Sequence, residues 1–423
     1  MKRLLIVACV AATAAAFAGI EEDLADRPQG IKIGERMTLR PYVSLSYTWD
    51  SNIDTIRKGQ CGQMWIVNPG VGMNYRGDTW SLSGGAFWRY HAYNRNPQQL
   101  NNMTYGETLK WRWETAPTNE KGWSLLVGES FERAEQDDDM SDVGGRGFWR
   151  DRQTLQLSGS IERRFTDRIH FSAHGAYYML DYENNTRKYA PLYGWDRWTA
   201  GAEAGYVVGP FTDFFVSGST SGYLQHNGHE RRSSIYEDED SDKSRRYGNH
   251  SNGYTVHLGV QTRATERLSY RASFGWSHFD YARRSAHNSF TYSLSGRWRM
   301  ADRWNMMLVS SVHYQPSERE YGSSIKVYHT SWGIGHTMIR GKLSSTFDIA
   351  YRHEEREDYH YDYDDYDEDI LTFRLGANYT FNRYISCFAR AEYQDELTSD
   401  SRTNRKDYDF DRWRLTIGLQ LHY

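Results

Sequence analysis

Long hydrophobic runs are almost absent from this chain of 423 residues. Mean hydropathy is -0.80, and beyond residue 18 no apolar stretch approaches the ~20 residues that a membrane helix needs. That lack argues against membrane helices. Cysteine is nearly missing too: Cys9, Cys61 and Cys387 are all there is, with no C-x-x-C and no zinc spacing. A disulfide between Cys61 and Cys387 is open in an oxidising compartment. A cysteine in an expected loop and one in an expected strand read more simply as two separate thiols. Charge bias is also small. The net charge of -4 becomes -6 once Lys2 and Arg3 are subtracted, too little to imply a nucleic-acid partner.

What the chain does have is aromatic. Tyrosine (32) and tryptophan (15) are abundant, which argues against disorder despite the 25% of charged residues. Many aromatics, many glycines (36), few prolines (8) and low mean hydropathy together fit a transmembrane β-barrel, whose strands need apolar residues on one face only. The opening MKRLLIVACVAATAAAFAGIEED has a basic start, an apolar core and an A-x-A site at Ala16-Phe17-Ala18. It reads as a signal peptide, with Cys9 inside the core and not after it. The expected organisation is a signal peptide over 1–18, a short periplasmic segment over 19–36 and a barrel over 37–423.

The last twelve residues, RWRLTIGLQLHY, alternate without a break. Trp413, Leu415, Ile417, Leu419, Leu421 and Tyr423 share one face, while Arg412, Arg414, Thr416, Gln420 and His422 share the other. The same alternation recurs from Met37 onward, through Leu39, Val43, Leu45 and Tyr47, and later through Tyr254, Val256, Leu258 and Val260. About eighteen such segments have the length that crosses a tilted bilayer path, or sixteen if those near 104–113 and 213–224 do not span. Short connectors repeat a small-acidic-Arg flavour: RGDT at 76, FTDR at 165, ATER at 264, MADR at 300, IRGK at 339 and FNR at 381. Long ones alternate with them, at 50–62, 93–103, 132–151, 183–196, 225–252, 281–288, 315–325, 353–369 and 394–411. Short periplasmic turns and long external loops are the outer-membrane arrangement. A soluble propeller would need its polar face outside and four-stranded blades, which the alternation of connector lengths does not give. The fold class expected is all-β, a transmembrane antiparallel up-and-down barrel.

Two resemblances add to this. A terminal strand ending on an aromatic resembles the signal read by the barrel insertion machinery of the outer membrane, which implies that machinery as a partner for residues 413–423. SYTWDSNIDTI, with Asp50-Ser51-Asn52-Ile53 after an aromatic strand, and hairpins such as YTFNRYIS at 379–386 resemble the β-barrel porin-2 group of bacterial outer-membrane proteins. The resemblance covers most of the mature chain in layout. It implies a barrel and a pore in the bacterial outer membrane, names no substrate, and carries over no functional residue.

By parity the wet face is rich in Ser and Gly, as a water-filled lumen of sixteen to eighteen strands requires. The function expected is passive diffusion of small hydrophilic solutes, with no enzyme activity and no cofactor. Pore-lining candidates are Arg40, Arg89, Lys110, Arg112, Arg271, Arg297, Arg299, Arg374, Arg390 and Arg414, with Glu203 and Asp348 as anions. Arg152, Arg164, Arg168, Arg197, Arg263, Arg352 and Arg412 share that parity, as do Glu114, Glu132, Glu162, Asp213 and Glu392. Cations outnumber anions, so anions would meet the lower barrier unless the charges pair across strands. Glu107, Glu129 and Asp181 fall on the lipid face and are expected near external strand ends. The acidic stretches 236–242 and 353–369 read as solvated loops or strand extensions in preference to calcium sites, since neither has EF-hand spacing. A barrel enzyme would use His91, His174, His257, His313 or His329 with a nearby Ser, but no G-x-S-x-G is present. A closed barrel serving surface-polymer export is the other alternative, and assembly into a homo-oligomer is open.

Overall fold

A strand with one apolar face can sit in hydrocarbon only if both its edges are paired, and a sheet achieves that by closing on itself. The computed structural model of the protein shows this closure. It describes residues 30–423 except 53–60, 95–100, 116–121, 138–149, 184–194, 226–249, 282–285, 317–323, 340, 358–365 and 400–409. The expected signal peptide lies outside the described residues.

The first strands are β1 (Ile31–Ile33), β2 (Met37–Asp50), β3 (Gly62–Arg76), β4 (Trp80–Tyr93), β5 (Asn102–Glu114) and β6 (Trp123–Asp137). Then follow β7 (Arg150–Arg164), β8 (Ile169–Glu183), β9 (Trp195–Gly209), β10 (Thr212–Gln225), β11 (His250–Thr265) and β12 (Leu268–Tyr281). The last seven are β13 (His287–Ala301), β14 (Trp304–Pro316), β15 (Ser324–Ile339), β16 (Leu343–Glu357), β17 (Tyr366–Asn382), β18 (Ile385–Ser399) and β19 (Phe410–His422). Each of β2 to β18 pairs antiparallel with its successor, and β19 pairs with β2, from Arg414↔Asp50 to His422↔Tyr42. Setting aside the three-residue β1, the barrel has eighteen strands. The two weak segments do span, as β5 and β10, so the count is eighteen and not sixteen. Within the 19–36 segment, β1 folds back onto Met37–Leu39 through a turn with Gly34 at φ 66°.

The spanning strands hold 13 to 17 residues, more than the roughly 9–11 that a tilted crossing needs. They therefore outrun a bilayer, and several expected loops are shorter than their sequence suggests. β6 continues to Asp137, β16 to Glu357 and β18 to Ser399. Short turns reuse one device. Oγ1 of Thr166 accepts from the amides of Arg168 and Ile169, Thr265 does the same for Arg267 and Leu268, and Oδ1 of Asn382 for Tyr384 and Ile385. A side chain that stands in for a backbone acceptor fixes each turn in two or three residues.

The outer face carries exposed apolar residues such as Leu258, Ile417 and Leu375, with ring pairs toward both rims: Tyr75 stacked on Trp80 at 4.6 Å, and Tyr393 tilted against Trp413 at 4.7 Å. This is the apolar band with aromatic girdles of membrane barrels. Glu107 and Glu129 correct one expectation. They lie on the outer face but in the middle of the wall, Glu107 opposite Ala86 and Phe131, Glu129 opposite Leu109 and Leu157. No bulge intervenes there. Curvature is served by glycine under aromatic rings: Phe215 lies over Gly259 and Phe388 over Gly418, where a Cβ would strike the ring. One seam is incomplete. β13 and β14 pair only from Tyr292↔Val312 to Ala301↔Trp304, so His287–Thr291 have no ladder partner on β14.

Candidate functional site

Alternation and pairing register place the interior residues without ambiguity, and the interior divides into two halves. Toward the long loops the inward side chains are shielded from water around the whole circumference. Thr48, Asn102, Ala134, Leu180, Tyr223, Ser277, Val327, Glu354, Glu396 and Arg412 are all buried, and Val327 and Glu354 are at most 1% exposed. Toward the short turns the inward Arg40, Lys110, Arg263 and Arg299 are exposed. The wall is thus open at one end and packed at the other.

Several charges in the packed half are paired, while Arg197, inward on β9, has no carboxylate partner among the described residues. Asp50 receives two bonds from Arg412, Nε to Oδ1 and Nη2 to Oδ2, at 2.9 and 2.5 Å, and a third from Arg414 Nε at 3.3 Å. Arg414 also approaches Glu392 at 3.9 Å, and Glu392 accepts from Arg374 Nε at 2.7 Å. A chain of alternating sign therefore runs along the inside of β2, β19, β18 and β17. Arg152 pairs with Glu132 at 3.1 Å, and Arg352 with Glu354. Burying a charge is tolerable only with such partners. The stretch 353–369 is accordingly not a plain solvated loop, because Glu354 and Glu368 point inward and are buried. Residues 236–242 lie outside the described residues.

The open half differs. Arg40, Lys110, Arg297, Arg299 and Arg390 have no carboxylate within ion-pair distance among the described residues; Arg89, level with the buried Thr104 on the long-loop side of β4, has none there either. Arg112 pairs with Glu114 at 2.5 Å, and Arg271 with Glu203. That second bond spans from β12 to β9, a chord across the interior that no neighbour rule on the sequence would find. Asp348 stands opposite Arg374 in the β16–β17 ladder. Three arginines lie on inward rings: Arg89 over Phe87 at 5.3 Å, Arg271 over Phe215 at 3.9 Å and Arg390 over Phe388 at 5.1 Å. Stacking holds a guanidinium flat while its edge stays free for hydrogen bonds. Arg168, expected inside, sits instead in the turn before β8 and donates to the outward Tyr206 hydroxyl at 3.3 Å.

Sequence parity alone missed the inward aromatics. Trp195, Tyr223 and Leu180 form a buried cluster with Tyr178 on the inside of β8, β9 and β10. An apolar residue in a barrel strand reads as lipid-facing, and only counting from the ladder register reverses that. The five histidines expected inside include His257, which bonds Thr291 at 2.8 Å and Ser273 at 3.3 Å; Ser277 joins at 3.1 Å from Thr291. This is a hydroxyl network linking three strands. Among the described residues no group of three or more His, Cys, Asp or Glu could hold a metal ion. Cys61 and Cys387 are not joined to each other by a disulfide.

A closed antiparallel barrel with an apolar belt outside and a polar, largely cationic surface inside defines the class of outer-membrane-type channel barrels. The chain belongs to the family Putative beta-barrel porin 2, whose description matches residues 26–423. Among solved structures, it is similar to the outer membrane protein OpdK of Pseudomonas aeruginosa, with 12% identity over 91% of this chain and 99% of that one, at a TM-score of 0.43. It is also similar to the ferric-catecholate import receptor Fiu of E. coli K12, with 10% identity over 94% and 82% and a TM-score of 0.41. The FrpB iron transporter of Neisseria meningitidis shares 8% identity over 92% and 82%, at a TM-score of 0.48. The comparison with curated proteins gave no match.

Proposed function

We propose that the protein is an outer-membrane porin that lets small hydrophilic solutes diffuse passively and favours anions. The observation that carries this reading is the set of five cations facing the open half of the interior with no carboxylate partner among the described residues: Arg40, Lys110, Arg297, Arg299 and Arg390. Fixed positive charge on a low-dielectric wall lowers the barrier for anions and raises it for cations. Chloride and small organic anions are the solutes this favours. Its setting is outer-membrane lipid, entered through the barrel insertion machinery acting on the strand from Trp413 to Tyr423, with self-association left to the outward face. The matching experiment is single-channel recording in a planar bilayer under a salt gradient. Open steps with a reversal potential of the anion-selective sign support the reading; a cation-selective sign would remove the charge argument.

A second reading is favoured by the shielded ring in the long-loop half. A barrel packed at that end would serve as a closed or gated element of a surface-polymer export system. Correct insertion without any conductance would select it.

A further inference from the structure

The inward positions of β2 to β5 form a lattice that can be read row by row. One row runs Thr38, Asn74, Ser83, Lys110, and the next runs Arg40, Gly72, Gly85, Thr108. Two adjacent members of the second row are glycines, so the wall sinks there by the depth of a side chain. A hollow of about 250 Å³ results, lined by Arg40, Gly72, Asn74, Ser83, Thr108 and Lys110. Packing does not ask for glycine at residue 72, since an added Cβ would find nothing nearer than 3.8 Å. Glycine inside a strand weakens it, and one use that offsets this is to leave room for the close approach of another molecule.

We propose that this hollow is a binding subsite for a small, flat organic carboxylate. Arg40 and Lys110 stand on opposite sides of the glycine floor, and neither has a carboxylate partner among the described residues. Asn74, with its amide turned so that Oδ1 accepts from Arg40 Nη1 at 3.1 Å, holds that guanidinium on the rim of the hollow. A guanidinium edge pairs with both oxygens of a carboxylate, and the ammonium supplies a second, less directional charge. The hydroxyls of Ser83 and Thr108 offer neutral hydrogen bonds to the rest of the ligand. One row higher, the rings of Tyr42 and Phe87 flank the strand glycines Gly70 and Gly106. They give a flat carbon frame an apolar surface. The volume is below the ~300–1,000 Å³ of drug-sized sites, so the occupant is a small molecule.

Access to the hollow from the short-turn end rests on the channel reading; binding itself does not, and the test separates them. Sodium benzoate is titrated calorimetrically into the purified protein in detergent, with folding of each variant checked by heat-modifiable migration. One saturable site is expected, weakened tenfold or more by Arg40→Gln, by Lys110→Gln and by Gly72→Val. The valine adds bulk without touching charge, in space the strand has to spare. Arg303→Gln, in the short turn before β14, should leave affinity unchanged. Absence of saturable binding, or equal loss in Arg303→Gln, would overturn the subsite. Sulfate or phosphate competing as strongly as benzoate would overturn its carboxylate class. Benzoate binding in a barrel that never conducts would sink the channel reading and leave the subsite standing. Open channels that do not bind benzoate would do the reverse.

Discussion

The two halves of the barrel interior are built on opposite electrostatic plans. Near the long loops, Asp50, Arg412, Glu354 and Arg352 are buried and paired; near the short turns, Arg40, Lys110 and Arg299 are exposed and Arg297 half-buried, none with a carboxylate partner among the described residues. Both halves come from the same alternating strands, so the difference lies in solvent access. Where water is excluded, an uncompensated charge would cost several kcal/mol and must be matched. Where water remains, an arginine tolerates the lack of a partner, and on the proposed channel reading it is then free to act on a solute.

The sharpest way to break this comparison is to remove one cation from each half. Arg412→Met leaves the buried Asp50 with Arg414 at 3.3 Å as its remaining arginine and should cost about 3 kcal/mol of stability, read as a fall in the denaturant midpoint for loss of the barrel. Arg297→Met, in the open half, should leave that midpoint within about 0.5 kcal/mol of the original. Equal effects of the two would erase the distinction. Next in size, Gly259→Val drives a side chain into the Phe215 ring and the Ala272 carbonyl, an overpacking worth about 1–3 kcal/mol. Arg271, stacked on that ring, should lose its geometry and weaken the chord to Glu203.

The selectivity effects are smaller and lie in the open half alone. Replacing Arg297, Arg299 and Arg390 together by Gln should move the reversal potential toward zero while stability holds. A reversal potential that stays put would place the selective charges elsewhere. The least change is expected from Glu203→Gln, which frees one more cation, Arg271, and should push the reversal potential slightly further in the anion-selective direction. A shift the other way would show that Arg271 needs its partner to face the lumen.

Much of this was legible in the residues. The first spanning strand begins at Met37, as its alternation says, and the turns at 165, 264 and 381 share a capping device that their common composition foreshadows. Parity also assigned the twelve charged candidates to the face opposite the apolar belt, because a strand has only two faces to choose from. Distance across the interior was not legible. Alternation reports a face but no radius, so the Glu203–Arg271 chord over three strands and the buried Leu180, Trp195 and Tyr223 cluster have no local signature. Glu107 and Glu129 show the same limit on the outside, where depth along the wall depends on register with neighbours that the sequence does not specify.

The Asp50–Arg412 bond has a further consequence for how the ring comes to be closed. Its partners are 362 positions apart, and between them lie all the other spanning strands. Until β19 arrives, β2 offers an open edge able to template any passing strand, and its carboxylate waits without a counter-ion. A one-residue slip of β19 would turn Arg412 and Arg414 together toward lipid, where a charge costs about 2–4 kcal/mol near the midplane and less toward the rim. The aligned register instead sets both arginines on one carboxylate. The clasp therefore proofreads the last joining step, so that a ring closed out of phase would be the one that reopens.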